Sequence, residues 1–182
     1  MPRPAAHELA SAGSVDLSPA RRVDPGGLLA SLGAIVHWSD SHDVRVSTMK
    51  AAGFPVDDVV LFLAVNQLAY RGALRPTELA RALGTGRSNM TKITRRLEEA
   101  DLILRTADPA DDRGVLIALS SRGRDIGEKI IGHAEQRLRE SLDDWPRADR
   151  EELRRLLAKL ADAAIADGYQ PIPHAGSQPP GA

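Results

Sequence analysis

Residues 74–123 decide the fold, and they read LRPTELARALGTGRSNMTKITRRLEEADLILRTADPADDRGVLIALSSRG. Pro76 is well placed to open a short helix, and the Gly-Thr-Gly tripeptide at 84–86 is typical of a turn. A second helix is predicted over 87–100, because apolar residues recur there with helical spacing at Met90, Ile93 and Leu97. The first half of the segment therefore predicts two helices joined by a tight turn.

The second half of the segment has the pattern of a β-hairpin. Strand-like runs at 102–106 and 115–120 flank the polar stretch 107–114. Two helices with a tight turn, followed by a hairpin with a charged tip, make a winged helix-turn-helix. In that arrangement the second helix can enter the major groove of duplex DNA, with its N-terminal residues nearest the base edges.

The polar face of the second helix carries groups that suit DNA. Arginine can bond guanine, asparagine can bond adenine, and hydroxyl groups can bond phosphates. A charged helix face is more often simply solvated, so this interpretation depends on the whole winged pattern. It predicts DNA contacts from Arg87, Ser88, Asn89, Thr91, Lys92, Arg95 and Arg96.

The hairpin tip supplies a further candidate. Arg113 is predicted to enter a minor groove narrowed by A·T sequence. The neighbouring carboxylates would repel the DNA backbone unless they were paired. Asp112 is therefore predicted to pair with Arg95 or Arg96 and so to orient the hairpin against the second helix.

Composition limits the other possibilities. The chain has 182 residues, a net charge of −1 and no cysteine, which excludes disulfides, cysteine-ligated zinc and a thiol switch. The net charge weighs against nucleic-acid binding by the chain as a whole. The window 75–124, however, has ten Lys or Arg against seven Asp or Glu, a net charge of +3. The abundance of arginine is read first as a bias of GC-rich coding, and composition alone does not separate that cause from a role in binding phosphates or guanine.

Several function classes receive no support from the sequence. The six aromatic residues form no stacking platform, which favours duplex DNA over single strands. No apolar run is long enough to span a bilayer, and the N-terminus does not resemble a secretory signal, so a cytoplasmic protein without a membrane partner is expected. Phosphate-binding and nucleophile-elbow motifs are missing, so no enzymatic activity, catalytic residue or cofactor is predicted.

The chain around the winged segment is predicted to be helical, with a tail at each end. The predicted fold class is mostly α (α+β), a winged helix-turn-helix with long flanking dimerisation helices. Its predicted parts are a disordered tail at 1–24, a dimerisation helix at 25–54, the DNA-binding domain at 55–123, two dimerisation helices at 124–168 and a flexible tail at 169–182. Pro55 is predicted to start the helix that precedes the winged segment.

Six short motifs make the segment resemble the MarR family of bacterial transcription regulators. They are Glu78-Leu79-Ala80, Ser88-x-x-Thr91-Lys92, Arg96-Leu97-Glu98, Leu102-Ile103-x-Arg105, Asp112-Arg113-Gly114 and Leu119-Ser120-x-x-Gly123. The resemblance implies a homodimer, formed through the first and the last two helices, on a pseudo-palindromic DNA site. It also implies repression that is relieved by a small, often aromatic or anionic, effector. Apolar stripes at 28–36, 126–142 and 153–165 suit the dimer.

The resemblance is broken at both ends of the second helix. Where the family often has a capping Ser or Thr, this chain has Gly86. Glycine is a tolerable cap, and Thr85 is the alternative cap. Where the family usually has glycine after that helix, this chain has Asp101. Aspartate adopts the left-handed backbone conformation less readily than glycine does. Both departures concern local helix ends and leave the candidate DNA contacts in place.

Other candidate sites have weaker support. His37, Trp38, Phe62 and Tyr70 are predicted to line an effector pocket, although ordinary core packing explains the aromatic residues as well. His37 lies near other polar side chains, but no tetrahedral ligand set is complete there, so no metal is predicted. The alternative function is a dimeric winged-helix protein-interaction module, or an anti-repressor, without direct DNA readout.

Overall fold

The computed structural model describes residues 24–166, so the predicted tails, Asp24 aside, lie outside the described residues. The elements in chain order are helices α1 (Leu28–Ser39), α2 (His42–Ala52), α3 (Val59–Arg71), α4 (Pro76–Ala82) and α5 (Arg87–Glu99), strands β1 (Ile103–Asp108) and β2 (Asp111–Leu119), and helices α6 (Ser121–Ser141) and α7 (Arg147–Ala166). The predicted class, mostly helical with a winged helix-turn-helix, is confirmed.

The prediction of a single helix over 25–54 is wrong, because that segment contains α1 and α2. The Ser39 hydroxyl donates to the Val36 carbonyl at 3.0 Å, and the backbone of Asp40 leaves the helical region at φ −99° and ψ 5°. Serine and aspartate side chains compete with the helix for backbone hydrogen bonds and so favour a break. The described residues divide into two compact units, one that contains α1 and ends at Ser41, and one that begins at His42 and contains all other described elements.

Helix α3 begins later than predicted. Pro55 lies before the helix, and Asp58 is the N-cap of a helix that starts at Val59. One carboxylate oxygen of Asp58 accepts hydrogen bonds from the Val60 and Leu61 amides at 2.9 and 3.3 Å. Aspartate at this position satisfies amides that would otherwise have no partner in the first turn, so it decides where the helix begins.

The core of the second unit forms around α3. Helices α2, α5 and α6 and strand β2 pack against it, and the rings of Phe54 and Phe62 meet edge to face at 5.7 Å. Burying each large apolar side chain contributes about 1.5–3 kcal/mol. The largest fully buried side chains are Leu61, Val65, Leu68, Leu79, Leu97, Leu102, Ile117 and Ile130.

The wing is longer and more closely attached than the sequence pattern predicted. Strands β1 and β2 pair antiparallel, and their register shifts between Ala107 and Asp108. Leu74 bridges to Ile117 through two backbone hydrogen bonds of 3.0 and 2.8 Å. The segment that enters α4 is therefore joined directly to β2, which fixes the base of the wing.

Two helices present apolar side chains to solvent. In α1 no residue is buried, and Leu28 is 92% exposed. The described part of α7 also has no buried side chain, and half-exposed apolar residues follow one another at Leu156, Leu157 and Leu160. These are two of the three apolar stripes that the sequence assigned to dimerisation. In the third, at 126–142, Ile126 and Ile130 are buried in the core of the chain itself.

Candidate nucleic-acid interface

The turn between α4 and α5 is set by backbone geometry. Gly84 has φ +60°, a left-handed conformation that glycine adopts without strain. The Thr85 amide then donates to the Ala80 carbonyl at 2.9 Å. Gly86 is the N-cap of α5, and the Thr85 hydroxyl accepts from the Asn89 side-chain amide at 2.8 Å instead of capping the helix. Of the two caps that the sequence left open, the structure has Gly86 and not Thr85, and α5 begins at Arg87 as predicted.

The other end of α5 also departs from the family pattern without breaking the fold. Asp101 adopts the left-handed conformation, at φ +55°. Its carbonyl accepts a 2.6 Å hydrogen bond from the Ser120 hydroxyl, and the next amide, that of Leu102, donates to the Leu97 carbonyl at 2.9 Å. Aspartate tolerates this conformation better than most residues, and the surrounding bonds hold it there.

Helix α5 has one buried and one exposed face. Met90, Ile93, Thr94 and Leu97 are buried. The seven residues of α5 that were predicted to contact DNA are all exposed, namely Arg87, Ser88, Asn89, Thr91, Lys92, Arg95 and Arg96. The structure thus presents these side chains on the surface of the helix, and their contact with DNA stays a prediction.

Two of these arginines have partners within the protein. Arg96 is paired with Asp58 at 2.5 Å, which links α5 to the start of α3. Arg95 lies 3.6 Å from Glu99 one turn along the same helix. The side chain of Asp112 is outside the described part of the structure, so its predicted pairing with Arg95 or Arg96 stays a prediction. Arg96, a predicted DNA contact, therefore also makes a contact within the fold.

The carboxylate of Asp58 is electrostatically perturbed. Burial favours its neutral form, but hydrogen bonds from Arg96 and from the Leu61 and Val60 amides outweigh that effect and hold the pKa below its ordinary value. A carboxylate with a lowered pKa stabilises the fold above the pKa of the unfolded chain. That contribution is lost as the pH falls through the folded-state pKa.

This linkage gives a testable prediction for Asp58→Asn. Asparagine is also a good N-cap, so the variant removes the charge and largely keeps the cap. We expect the free energy of unfolding to fall by about 1–2 kcal/mol at pH 7, because a charge-assisted hydrogen bond is lost. The difference in the free energy of unfolding between the variant and the wild type should shrink as the pH falls below 3.8, the ordinary pKa of an aspartate side chain. Urea unfolding across that range checks it, with Asp57→Asn at the exposed neighbouring residue as the control. A difference that is constant with pH would contradict the assignment.

The wing is fastened to α5 and to α4 by separate ion pairs. Arg105 on β1 meets Glu98 on α5 at 2.6 Å and donates to the Thr94 hydroxyl at 3.3 Å. Arg75, at the start of α4, meets Asp108 at the end of β1 at 2.6 Å. The sequence pattern did not reveal the second pair, since 33 positions separate its members and neither lies in one of the six motifs quoted above.

Arg113 lies in the exposed tip of the wing. Its backbone amide donates to the Asp111 side chain at 3.1 Å. The tip therefore presents this arginine on a short turn that is organised by an aspartate side chain. The position agrees with the predicted role at the minor groove, which stays a prediction.

A cavity of about 380 Å³ lies where α4, α5 and the wing meet. Its wall combines apolar side chains with three arginines. The lining residues are Pro76, Thr77, Ala80, Arg81, Thr85, Arg87, Met90, Thr91, Thr94, Arg105 and Ile117. A cavity with an apolar wall and a few cationic groups suits a small organic anion.

The four residues predicted to line an effector pocket lie elsewhere. Phe62 is buried in the core. Tyr70 is partly buried, and burial together with the negative charge of Glu135 raises its pKa. His37 and Trp38 are exposed on α1, which belongs to the other compact unit. None of the four lines the 380 Å³ cavity, so their role in ligand binding stays a prediction.

Two other kinds of feature are missing from residues 24–166. No group of three or more His, Asp or Glu side chains there could hold a metal ion. Across the same residues, no helix has both the length and the apolar character that crossing a membrane requires.

Comparison with known proteins supports the fold and the family resemblance. Residues 60–115 match the model of the MarR family. A MarR family protein from Bacillus stearothermophilus has 21% identity and a TM-score of 0.61, over 75% of this chain and 95% of that chain. A transcriptional regulator from Thermotoga maritima has 23% identity and a TM-score of 0.55, over 77% of this chain and 99% of that chain. At these identities the likeness establishes the fold. No curated protein matches the chain.

Proposed function

We propose that this chain, which carries a MarR-type domain over residues 60–115, is a sequence-specific DNA-binding transcription regulator. The observation that carries the proposal is the division of α5 into two faces. One face is anchored in the core through Met90, Ile93 and Leu97, and the other presents Arg87, Lys92 and Arg95 to solvent beside an arginine-tipped wing. A rigid helix with exposed guanidinium, ammonium and amide groups suits readout of the major groove. The proposal assigns no catalytic role and no cofactor.

We further propose that the protein acts as a homodimer. Each of the helices α1 and α7 has exposed apolar side chains that support this state, because burying apolar surface favours association. A symmetric dimer would present its two α5 helices about 34 Å apart, one turn of DNA, and would bind a pseudo-palindromic site. Analytical ultracentrifugation tests the dimer, with a mass of twice 19.6 kDa expected.

The regulation that we propose is repression relieved by a small organic anion. The 380 Å³ cavity supports it, because one ligand there would touch α4, α5 and the wing together. A ligand that binds one arrangement of these elements more tightly than another shifts the equilibrium between them. Isothermal titration with aromatic carboxylates, with and without operator DNA, tests the coupling. Equal affinity in both titrations would exclude relief through this cavity.

Selection from fragmented genomic DNA of the source organism tests DNA binding itself. We expect recovery of one palindromic fragment, with the logarithm of the affinity falling steeply against the logarithm of the salt concentration. Recovery of no sequence above random DNA, with and without candidate effectors, would favour the alternative of a protein-interaction module. That alternative also predicts that charge reversal on α5 leaves function intact.

The wing gives a specific prediction on the recovered fragment. Arg113→Ala should weaken DNA binding about tenfold. It should also reduce the magnitude of the slope of log affinity against log salt concentration by about one for each arginine that is removed from contact with the DNA. Arg113 is exposed, so the variant should fold normally. Fluorescence anisotropy at several salt concentrations measures both quantities. Arg154→Ala, at an exposed position on α7, is the control, and an effect equal to that of the control would refute the wing contact.

A further inference from the structure

The wing tip is held by a side chain from the helix-turn-helix. The Arg75 guanidinium reaches Asp108 through two nitrogen atoms, with Nε 2.9 Å and Nη2 2.6 Å from Oδ2. The same Nη2 atom lies 3.4 Å from a carboxylate oxygen of Asp111. One arginine at the start of α4 therefore bridges the two aspartates that begin and end the turn of the hairpin.

Asp108 contacts several of the residues that form the tip of the wing. Its side chain is only 8% exposed. Its Oδ1 atom accepts a hydrogen bond from the Ala110 amide at 2.9 Å, while Oδ2 takes the guanidinium. The backbone of Gly114 packs so closely over it that a Cβ atom there would lie 2.7 Å from the Asp108 Cβ. The hydrogen bond from the Ala110 amide and the guanidinium of Arg75 both lower the pKa of Asp108, which favours the charged form of its carboxylate.

The tip depends on such side-chain bonds because strand pairing is interrupted there. Ala107 pairs with Val115, but Asp108 pairs with Asp111, so residues 112–114 bulge out of the ladder. Arg113 lies in this bulge. Its position is thus set by the contacts of Asp108 and Asp111 rather than by regular pairing of the strands.

The backbone on either side of Arg75, at the other end of this ion pair, is held by hydrogen bonds. The Arg75 amide donates to the Glu78 carboxylate at 2.8 Å in the first turn of α4. The preceding residue, Leu74, is joined to Ile117 by two backbone hydrogen bonds. The guanidinium therefore extends from a backbone that is fixed on both sides.

We propose that Arg75 is a positioning residue for the wing, whose bridge to Asp108 and Asp111 holds the tip so that Arg113 is presented to DNA. The proposal rests on the proposed DNA-binding function. The bridge also offsets two negative charges next to the surface that approaches the phosphates. Lysine would keep that charge but not the fork of two nitrogen atoms, so the two contributions can be separated by experiment.

The test has one arm without DNA. Amide order parameters of residues 110–114 are measured by NMR in the wild type, Arg75→Ala and Arg75→Lys, because Pro109 has no backbone N–H. We expect values typical of a rigid backbone, about 0.85, in the wild type and below about 0.6 in Arg75→Ala. Arg75→Lys should lie between them. Unchanged order of the tip in Arg75→Ala, with the remaining amides unperturbed, overturns the proposal.

The second arm is a double-mutant cycle on operator DNA. Arg75→Ala should weaken binding about as much as Arg113→Ala, roughly tenfold, and the double variant should be little weaker than either single variant, because the two residues act as one unit. Arg81→Ala removes a charge from the same helix and should combine additively with Arg113→Ala. Additive effects of Arg75→Ala and Arg113→Ala would overturn the role in presenting Arg113.

The two experiments distinguish failure of the proposed DNA-binding function from failure of the positioning role of Arg75. If the wild type binds no DNA while Arg75→Ala loosens the tip, the DNA-binding proposal fails, and with it the role in presenting Arg113. The bridge then remains as a contact that stiffens the hairpin. If the wild type binds DNA and the tip stays ordered without Arg75, only the positioning role fails.

Discussion

The double charge reversal Lys92→Glu and Arg95→Glu is expected to reduce operator affinity by roughly a thousandfold or more. Loss of a single base or phosphate contact costs about 1–3 kcal/mol, and each glutamate adds repulsion from the phosphates. The dimer that we propose would carry the change twice. Fluorescence anisotropy on the selected operator at fixed salt measures the loss.

The variant should keep its fold. Lys92 and Arg95 are exposed on the face of α5 opposite Met90 and Leu97. The contact between Arg95 and Glu99 is an exposed pair at 3.6 Å, which contributes little to stability. Thermal unfolding should therefore change by no more than a few degrees, and a large decrease would show that the loss of binding has a structural cause.

A matched control separates specific contact from the change in net charge. Lys50→Glu and Lys129→Glu reverse two exposed charges on α2 and α6, outside the winged segment. Their total charge change equals that of the α5 variant, so long-range repulsion from DNA is comparable. We expect only a small loss of affinity from this pair. A loss as large as that of the α5 pair would refute the assignment of α5 as the reading element.

The helix-turn-helix could be predicted from the sequence because its signals are local. The spacing of Met90, Ile93 and Leu97 determines which face of α5 is buried, and the opposite face follows from helix geometry alone. The exposure of the candidate DNA-contact residues needs no information from distant parts of the chain. The signal for the turn between α4 and α5 is also local, because Gly84 supplies the positive φ that the turn requires.

The contacts that hold the site together could not be predicted in this way. Arg75 and Asp108 are 33 positions apart, and Asp58 and Arg96 are 38 apart. Each residue alone resembles an ordinary surface charge, and only the folded chain brings the partners together. The start of α3 was misplaced for a related reason. Pro55 and Asp58 are both acceptable start signals, and the contact between Asp58 and α5 favours the second.

The motif Leu119-Ser120-x-x-Gly123 has a physical explanation in the structure. The Ser120 hydroxyl accepts a hydrogen bond from the Gly123 amide at 3.0 Å and so caps α6. It also donates to the Asp101 carbonyl at 2.6 Å, and the Ser120 amide donates to the Leu102 carbonyl at 3.1 Å. These bonds draw the first turn of α6 onto the entrance of β1, where Leu102 is fully buried. The close approach leaves no room for a side chain at Gly123.

Gly123→Ala is therefore expected to be severely destabilising. A Cβ atom at this position would overlap the Leu102 carbonyl oxygen and would lie 2.8 Å from the Leu102 carbonyl carbon. The obstacle is buried backbone on both sides, so no rotation of a side chain can relieve the overlap. We expect a loss of more than about 4 kcal/mol, a range reserved for severe local disruption. Urea or thermal unfolding measures it, and failure to obtain folded protein is the limiting case.

The same helix supplies a control with the opposite expected sign. A Cβ atom at Gly132 would meet nothing within 4 Å. Alanine is favoured over glycine in a helix interior by about 1 kcal/mol, so Gly132→Ala should raise the free energy of unfolding. The two variants make the same chemical change in one helix, and only the surroundings of the added methyl group differ. If Gly123→Ala were also neutral or stabilising, α6 could not lie against the entrance of β1 as described, and the base of the wing would have to be held in another way.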